Sequence, residues 1–437
     1  MKIAQIAPLF ESVPPRGYGG TERIVSYLTE ELVRRGHDVT LFASGDSSTT
    51  GKLVPCCDEA LRLNNRVRDA LPHQIIQLEK VRQQIDHFDV LHFHTDLIHM
   101  PLIRSLSDRT VTTLHGRLDL PDLAPFYDEF HDIPLVSISK AQRWPLPDVT
   151  WAGNVPHGLP RHLLPFQPFA GGDYLAFLGR ISPEKRPDRA IEIAMRAGMK
   201  LKIAAKIDWT DRTYWEQTIC PLIDGNPNVE FVGEINERQK ASFLGNARAL
   251  LFPIDWPEPF GLVMIEAIAC GTPVVAFRCG SVPEVIEDGI SGLIVSSVDE
   301  AVEAVRHIDQ LNRLLVRRAF ERRFTAEAMA RAYLEIYRSL PGAKTGALAI
   351  GSTNRLFSEV ESKIVFLEQK GPEHRSVRFE QDLPACESKI PLTGSRRKLP
   401  RWRSDTGNGA GARDVRQDET QFGSQPGRAG LPASVNR

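Results

Sequence analysis

Short apolar runs, bounded by glycine- or proline-marked turns, recur along this chain with helical segments between them. Runs of that kind suit strands covered on both faces, and strand–helix alternation builds a doubly wound parallel sheet. Residues 2–7, 37–43, 90–94, 109–114 and 135–138 read as strands. Residues 21–35 read as a helix with Ile24, Val25, Leu28 and Leu32 on one face, ended by Gly36. A linker rich in Pro, Phe and Gly follows at 163–173, and then the pattern restarts with strands at 174–178, 201–205, 229–232, 249–252, 274–277 and 293–295. Two α/β halves in series imply a cleft between them, where ligands usually bind. The expected domains are 1–165 and 170–325, closed by a helix over 326–340. Residues 341–437 form a low-complexity tail expected to be disordered, apart from one amphipathic helix that could form over 356–369.

Composition narrows the function. With 437 residues, 42% apolar content and a net charge of -1, this is an ordinary globular chain with no general affinity for nucleic acid, and no specific nucleic-acid partner is expected. The six cysteines show no C-x-x-C spacing, so reduced thiols and a cytoplasmic location are expected. The first residues read as a strand and lack a signal segment, and no apolar run reaches the roughly 18 residues of a bilayer span. Residues 61–68 mix leucines with arginines. A solvated helix face and peripheral contact with the inner face of a membrane are both open there.

The chemistry concentrates in the second half. Residues 262–270 form a helix apolar on every side except for Glu266, and a buried carboxylate is costly unless it is paired. Glu258 stands just ahead, before Pro259 at an expected first-turn position, so two carboxylates flank one helix start. The turn Phe260-Gly261 offers backbone N–H groups to an anion. The strand at 174–178 runs into Gly179-Arg180-Ile181-Ser182-Pro183-Glu184-Lys185, placing Arg180 and Lys185 at the carboxyl end of a parallel strand. An arginine fork and a lysine point charge suit a diphosphate. Gly280-Ser281-Val282-Pro283-Glu284 could cradle the nucleotide. In the first half Gly17-Tyr18-Gly19-Gly20-Thr21-Glu22 opens a helix in phosphate-binding fashion, and His115 ends a strand at the cleft. His92, His94 and His99 lack the spacing of a metal site, so no metal ligands are assigned.

The run E-P-F-G-L-V-M-I-E over 258–266 resembles the E-x7-E signature of retaining glycosyltransferases of the GT-B fold. G-R-I-S-P-E-K over 179–185 is similar to their G-R-x-x-x-E-K loop, and 267–275 and 288–295 resemble the runs that follow the signature. With G-Y-G-G-T-E and R-R-G-H-D-V-T-L-F, residues 1–340 are similar to family 4 of these enzymes, the group 1 glycosyl transferases. The resemblance implies two Rossmann-like domains facing a central cleft and sugar transfer from a nucleotide diphosphate-sugar to an acceptor hydroxyl with retained configuration. It implies no metal and no cofactor. Arg180 and Lys185 would hold the diphosphate and Glu266 the ribose. Glu258 would contact the donor sugar, helped by the backbone of Phe260, Gly261 and Leu262. Gly19 and Gly20 would close over the phosphates, and His115 would sit near the sugar. A UDP-hexose donor is favoured, with GDP-mannose as the alternative, and the acceptor stays open among glycans, lipids and small molecules. The rivals are a nucleotide-sugar epimerase or phosphorylase on the same fold, or a non-catalytic sugar-nucleotide-binding subunit.

Overall fold

The computed structural model describes residues 1–343 other than Tyr18 and Leu63; the tail and the expected helix at 356–369 lie outside the described residues. Strands β1 (Lys2–Ile6), β2 (Asp38–Ala43), β3 (Lys52–Pro55), β4 (Val90–Phe93), β5 (Thr110–Thr113), β6 (Leu135–Ser137) and β7 (Trp151–Asn154) form a parallel sheet of order β3-β2-β1-β4-β5-β6-β7. A second parallel sheet, of order β10-β9-β8-β11-β12-β13, contains β8 (Tyr174–Arg180), β9 (Lys200–Lys206), β10 (Val229–Gly233), β11 (Ala249–Phe252), β12 (Val274–Phe277) and β13 (Gly292–Val295). The continuous apolar runs of β11 and β12 became inner strands with every residue buried, and β4 and β5 are equally buried although they carry His92 and three threonines. Two strands escape a search for apolar runs. K-L-V-P and W-A-G-N are half-buried edge strands, covered on one side only, so their composition is mixed.

Each sheet reverses its strand order once, between β1 and β4 and between β8 and β11. Such switch points leave a crevice beyond the carboxyl ends of the strands. The loops leaving β1, β4, β8 and β11 carry Gly19 and Gly20, His94, Lys185, and Glu258 respectively. Topology therefore selects the residues that meet.

The helix Ala326–Ser339 returns to the first sheet. Tyr337 bonds Gln5 of β1 at 3.1 Å and Tyr333 bonds Thr113 of β5 at 2.9 Å, both fully buried. The described residues among 61–68 lie in turns and loops and not in a helix; Leu61 is buried and Arg62 pairs with Glu11 at 3.0 Å. Among the described residues no helix is long and apolar enough to cross a membrane.

Candidate active site

A cavity of about 790 Å³ lies between the halves, lined by Gly19, Gly20 and His115 from the first and by Arg180, Lys185, Glu258, Phe260, Gly261, Leu262 and Glu266 from the second. These residues, each singled out by the sequence, face one space.

The carboxylates are held differently from the sequence expectation. The helix begins at Leu262, with Gly261 as its N-cap at φ 77°, so Pro259 stands outside it and not in its first turn. A side chain at Gly261 would meet Met264 and Phe252 at 2.7 and 3.0 Å, in a backbone conformation that L residues avoid. Glu258 is buried and receives the Trp256 indole N–H at 3.0 Å and the Lys185 ammonium on the same oxygen, Oε2. Lys185 also lies 5.0 Å from the Trp256 ring centroid, a cation–π contact. Glu266 projects from its apolar helix and pairs with Lys240 Nζ at 2.6 Å.

Arg180 ends β8 in an acidic setting, within 3.1 Å of Glu184, 3.3 Å of Asp211 and 3.9 Å of Asp208. One third of its side chain is exposed. The segment Gly280–Glu284 does not line the cavity, contrary to its expected role as a nucleotide cradle. Ser281 instead braces the site loop, its N–H donating to the Glu258 carbonyl and its hydroxyl to the Phe260 carbonyl, both at 2.9 Å. Glu284 crosses the cleft to accept the backbone N–H groups of Lys140 and Ala141 at 2.7 Å each.

His115 stands two residues beyond β5, and burial pushes its imidazole down to about 3. Its Nε2 meets His94 Nδ1 at 2.8 Å and its ring stacks on His157 at 5.2 Å. The nitrogens of His92, His94 and His99 bond Gln5, Tyr337, Thr95, Thr112, Thr113 and His115. Among the described residues no group of three or more His, Cys, Asp or Glu side chains could hold a metal ion.

Sequence inspection missed Lys240, Gln5, His157 and the Arg23–Glu237 pair that joins the halves. One signal near Lys240 was readable, since Asn236 and Gln239 form a capping box that starts its helix. Nothing in the sequence ties Lys240 to Glu266.

This arrangement, two doubly wound domains with cationic and acidic groups at their facing switch points, is the architecture of GT-B glycosyltransferases. The family models agree: residues 18–153 match Glycosyltransferase Family 4 and residues 166–323 match Glycosyl transferases group 1. The chain belongs to this family of GT-B glycosyltransferases. It is 32% identical over 182 residues to a D-inositol 3-phosphate glycosyltransferase of Frankia alni, covering 37% of this chain and 41% of that one. It is 23% identical to an O-antigen chain mannosyltransferase C of Escherichia coli, over 78% of this chain and all of that one. In fold it is similar to Anabaena HepE, solved with UDP and glucose, at a TM-score of 0.58 and 18% identity, covering 78% of this chain and 100% of that one.

Proposed function

We propose that this chain transfers a hexose from a nucleotide diphosphate-sugar to an acceptor hydroxyl with retention of configuration and without a metal or other cofactor. The observation that carries this is the convergence of Arg180, Lys185, Glu258 and Glu266 on the cavity that Gly19, Gly20 and His115 also line. Arg180 and Lys185 supply positive charge where the departing diphosphate gathers negative charge, which is preorganised electrostatic stabilisation. Glu266 takes the ribose hydroxyls, and Glu258 takes the sugar hydroxyls beside the backbone of Phe260, Gly261 and Leu262. His115 stands by the sugar and Gly19 and Gly20 by the phosphates. The C1–O bond to the diphosphate breaks while the acceptor oxygen bonds C1 on the same face, and the acceptor proton passes to the departing phosphate oxygen. No protein base is required.

UDP-hexose is the favoured donor, supported by the ligands of the Anabaena neighbour; GDP-mannose is the alternative, supported by the mannosyltransferase relative. The acceptor is a glycan, lipid or small molecule with a free hydroxyl. Cys56, Cys57, Cys220 and Cys270 are free thiols, which suits the cytoplasm. Peripheral contact with an anionic bilayer fits the helix Leu71–Arg82, where Leu71, Ile75 and Ile76 are about half exposed near Arg66 and Arg68.

Donor hydrolysis and thermal shift against UDP-, GDP-, ADP- and TDP-sugars test the proposal, with Arg180→Ala and Glu266→Ala alongside. Stabilisation by one nucleotide class, lost in both folded variants, is expected. A folded chain that binds none of them sinks it.

A further inference from the structure

The first-half wall of the cavity carries a file of imidazoles of which the proposed function uses only His115. His92 and His94 lie along and just beyond β4, His115 beyond β5 and His157 beyond β7. Neighbouring ring centroids are 4.0, 5.1 and 5.2 Å apart. Burial holds His92, His94 and His157 well below the usual histidine range, as it does His115, so all four are neutral at pH 7.

A neutral imidazole has one donor nitrogen and one acceptor, so each hydrogen bond dictates the next. The file starts at Gln5, fully buried on β1. Its Nε2 donates to the Tyr337 hydroxyl at 3.1 Å, and its Oε1, which can only accept, faces His94 Nε2 at 2.8 Å. His94 therefore carries its proton on Nε2 and accepts through Nδ1. The atom 2.8 Å from that Nδ1 is His115 Nε2, which must be the donor. His115 Nδ1 is then a bare lone pair, buried and without a partner, on a ring that lines the cavity.

The ring is also fixed in place. The His115 main-chain N–H is held by the carboxylate of Asp96, a residue in the left-handed region at φ 52°, and one face lies against His157. Residues other than glycine in that region mark positions the surroundings over-determine.

We propose that Gln5 and His94 are positioning residues that lock His115 in the Nε2–H tautomer, so that it meets its ligand only as a hydrogen-bond acceptor, through Nδ1. Such an atom recognises an O–H donor, a sugar hydroxyl, and repels ether, carbonyl and phosphate oxygens. His115 thus reads a hydroxyl and does not bind the diphosphate. The assignment of that hydroxyl to the donor sugar rests on the proposed function; the tautomer does not. Turning the Gln5 amide over would reverse every donor and acceptor down to His115, so the polarity of the file is set at Gln5.

The first test is long-range ¹H–¹⁵N correlation on the full chain labelled in histidine and free of donor, with His115→Asn and His94→Asn supplying assignments. Protonated Nε2 and unprotonated Nδ1 on both residues are expected, and a protonated Nδ1 on His115 overturns the proposal. Gln5→Glu, whose carboxylate can only accept, should keep the tautomer. Gln5→Leu should give mixed tautomers and lower turnover by about 10–100-fold, the usual cost of losing an orienting partner. A folded Gln5→Leu variant with an unchanged His115 tautomer refutes the role of Gln5. The second test uses deoxy and fluoro donor analogues at each sugar position. Where hydrogen costs activity, fluorine, which cannot donate, should cost as much; a fluoro donor as good as the parent refutes the acceptor role. Because the spectra are recorded without donor, they report the tautomer whichever nucleotide sugar the chain uses.

Discussion

Replacing Lys240 by methionine should destabilise the second half of the chain by about 3 kcal/mol, at the low end of the 3–5 kcal/mol typical when one member of a buried ion pair is removed. Glu266 sits in an apolar helix with 3% of its surface exposed, and its partner Lys240 Nζ is 2.6 Å away. At that distance two unit charges attract by about 6 kcal/mol with an effective dielectric constant of 20. Desolvating each ion costs several kcal/mol, so the intact pair comes near to break-even. Removing one partner leaves the desolvation cost of the other uncompensated. Lys240 also faces Glu237 at 3.5 Å, so the variant leaves two carboxylates together, relieved only by Arg23 on Glu237. The lysine is 14% exposed, which is why the low end of the range applies. In urea unfolding followed by fluorescence of Trp209, Trp215 and Trp256, the midpoint should fall by roughly 1–2 M at an ordinary m-value. Lys240→Met combined with Glu266→Leu should recover most of the loss, since an apolar pair of similar volume is tolerated in place of a buried ion pair. A single variant as stable as the parent, or a double variant no better than the single, refutes the reasoning.

Glu22, which burial pushes up to about 7, favours its protonated form when folded; its contribution is complete below pH 4.5 and is lost as pH rises through 7. Glu22→Gln should therefore leave stability unchanged at pH 4.5 and raise it at pH 8 by at most about 3 kcal/mol, read from urea midpoints at the two values. His99 has the opposite sign, because burial pushes it down to about 3, so stability is lost as pH falls from 6.5 toward 3. At pH 5 the loss from this residue is about 2 kcal/mol, and His99→Gln should flatten that part of the profile. Glu284→Gln should weaken the contact with the N–H groups of Lys140 and Ala141 and widen the distribution of interdomain distances in small-angle scattering, with the secondary structure intact. An unchanged distribution would show that this contact does not hold the halves together.

The inner strands and the site loops were legible in the sequence for one physical reason: each depends on local chemistry. A strand buried on both faces has to be apolar along its length, as β11 and β12 are, or to have its polar side chains hydrogen-bonded, as His92 of β4 and the threonines of β5 are. A carboxylate inside an apolar helix has to be paired, which singles out Glu266 before its partner is known. What stayed hidden is what depends on where distant segments meet. Lys240 is 26 residues from Glu266, and Gln5 is 89 from His94 and 332 from Tyr337. The edge strands β3 and β7 were missed because solvent on one side removes the apolar signature. The helix starts at Leu262 as its apolar run indicates, and only the placement of Pro259 in its first turn fails, because the left-handed Gly261 stands between them as the N-cap.

The contacts between the halves divide by chemistry, and the division bears on how the cleft works. Along the closing helix they are buried and uncharged: Tyr337 on Gln5 and His92, and Tyr333 on Thr113. Groups like these lose their partners only at the cost of unsatisfied buried atoms, so that side should hold fixed. Elsewhere between the halves the contacts are ionic or charge-assisted: Arg23 with Glu237 at the cavity, and away from its lining Arg117 with Glu184 at 3.4 Å and Glu284 on two backbone N–H groups. The Arg117–Glu184 pair, 36% exposed on each side, contributes about 0–1 kcal/mol, so water can replace it cheaply, whereas Arg23–Glu237 is more buried. Two of these latches end on residues that also touch the site, since Glu237 neighbours Lys240, the partner of Glu266, and Glu184 neighbours Arg180. On the proposed function, a donor with its diphosphate at Arg180 and its ribose at Glu266 would compete for these same charges.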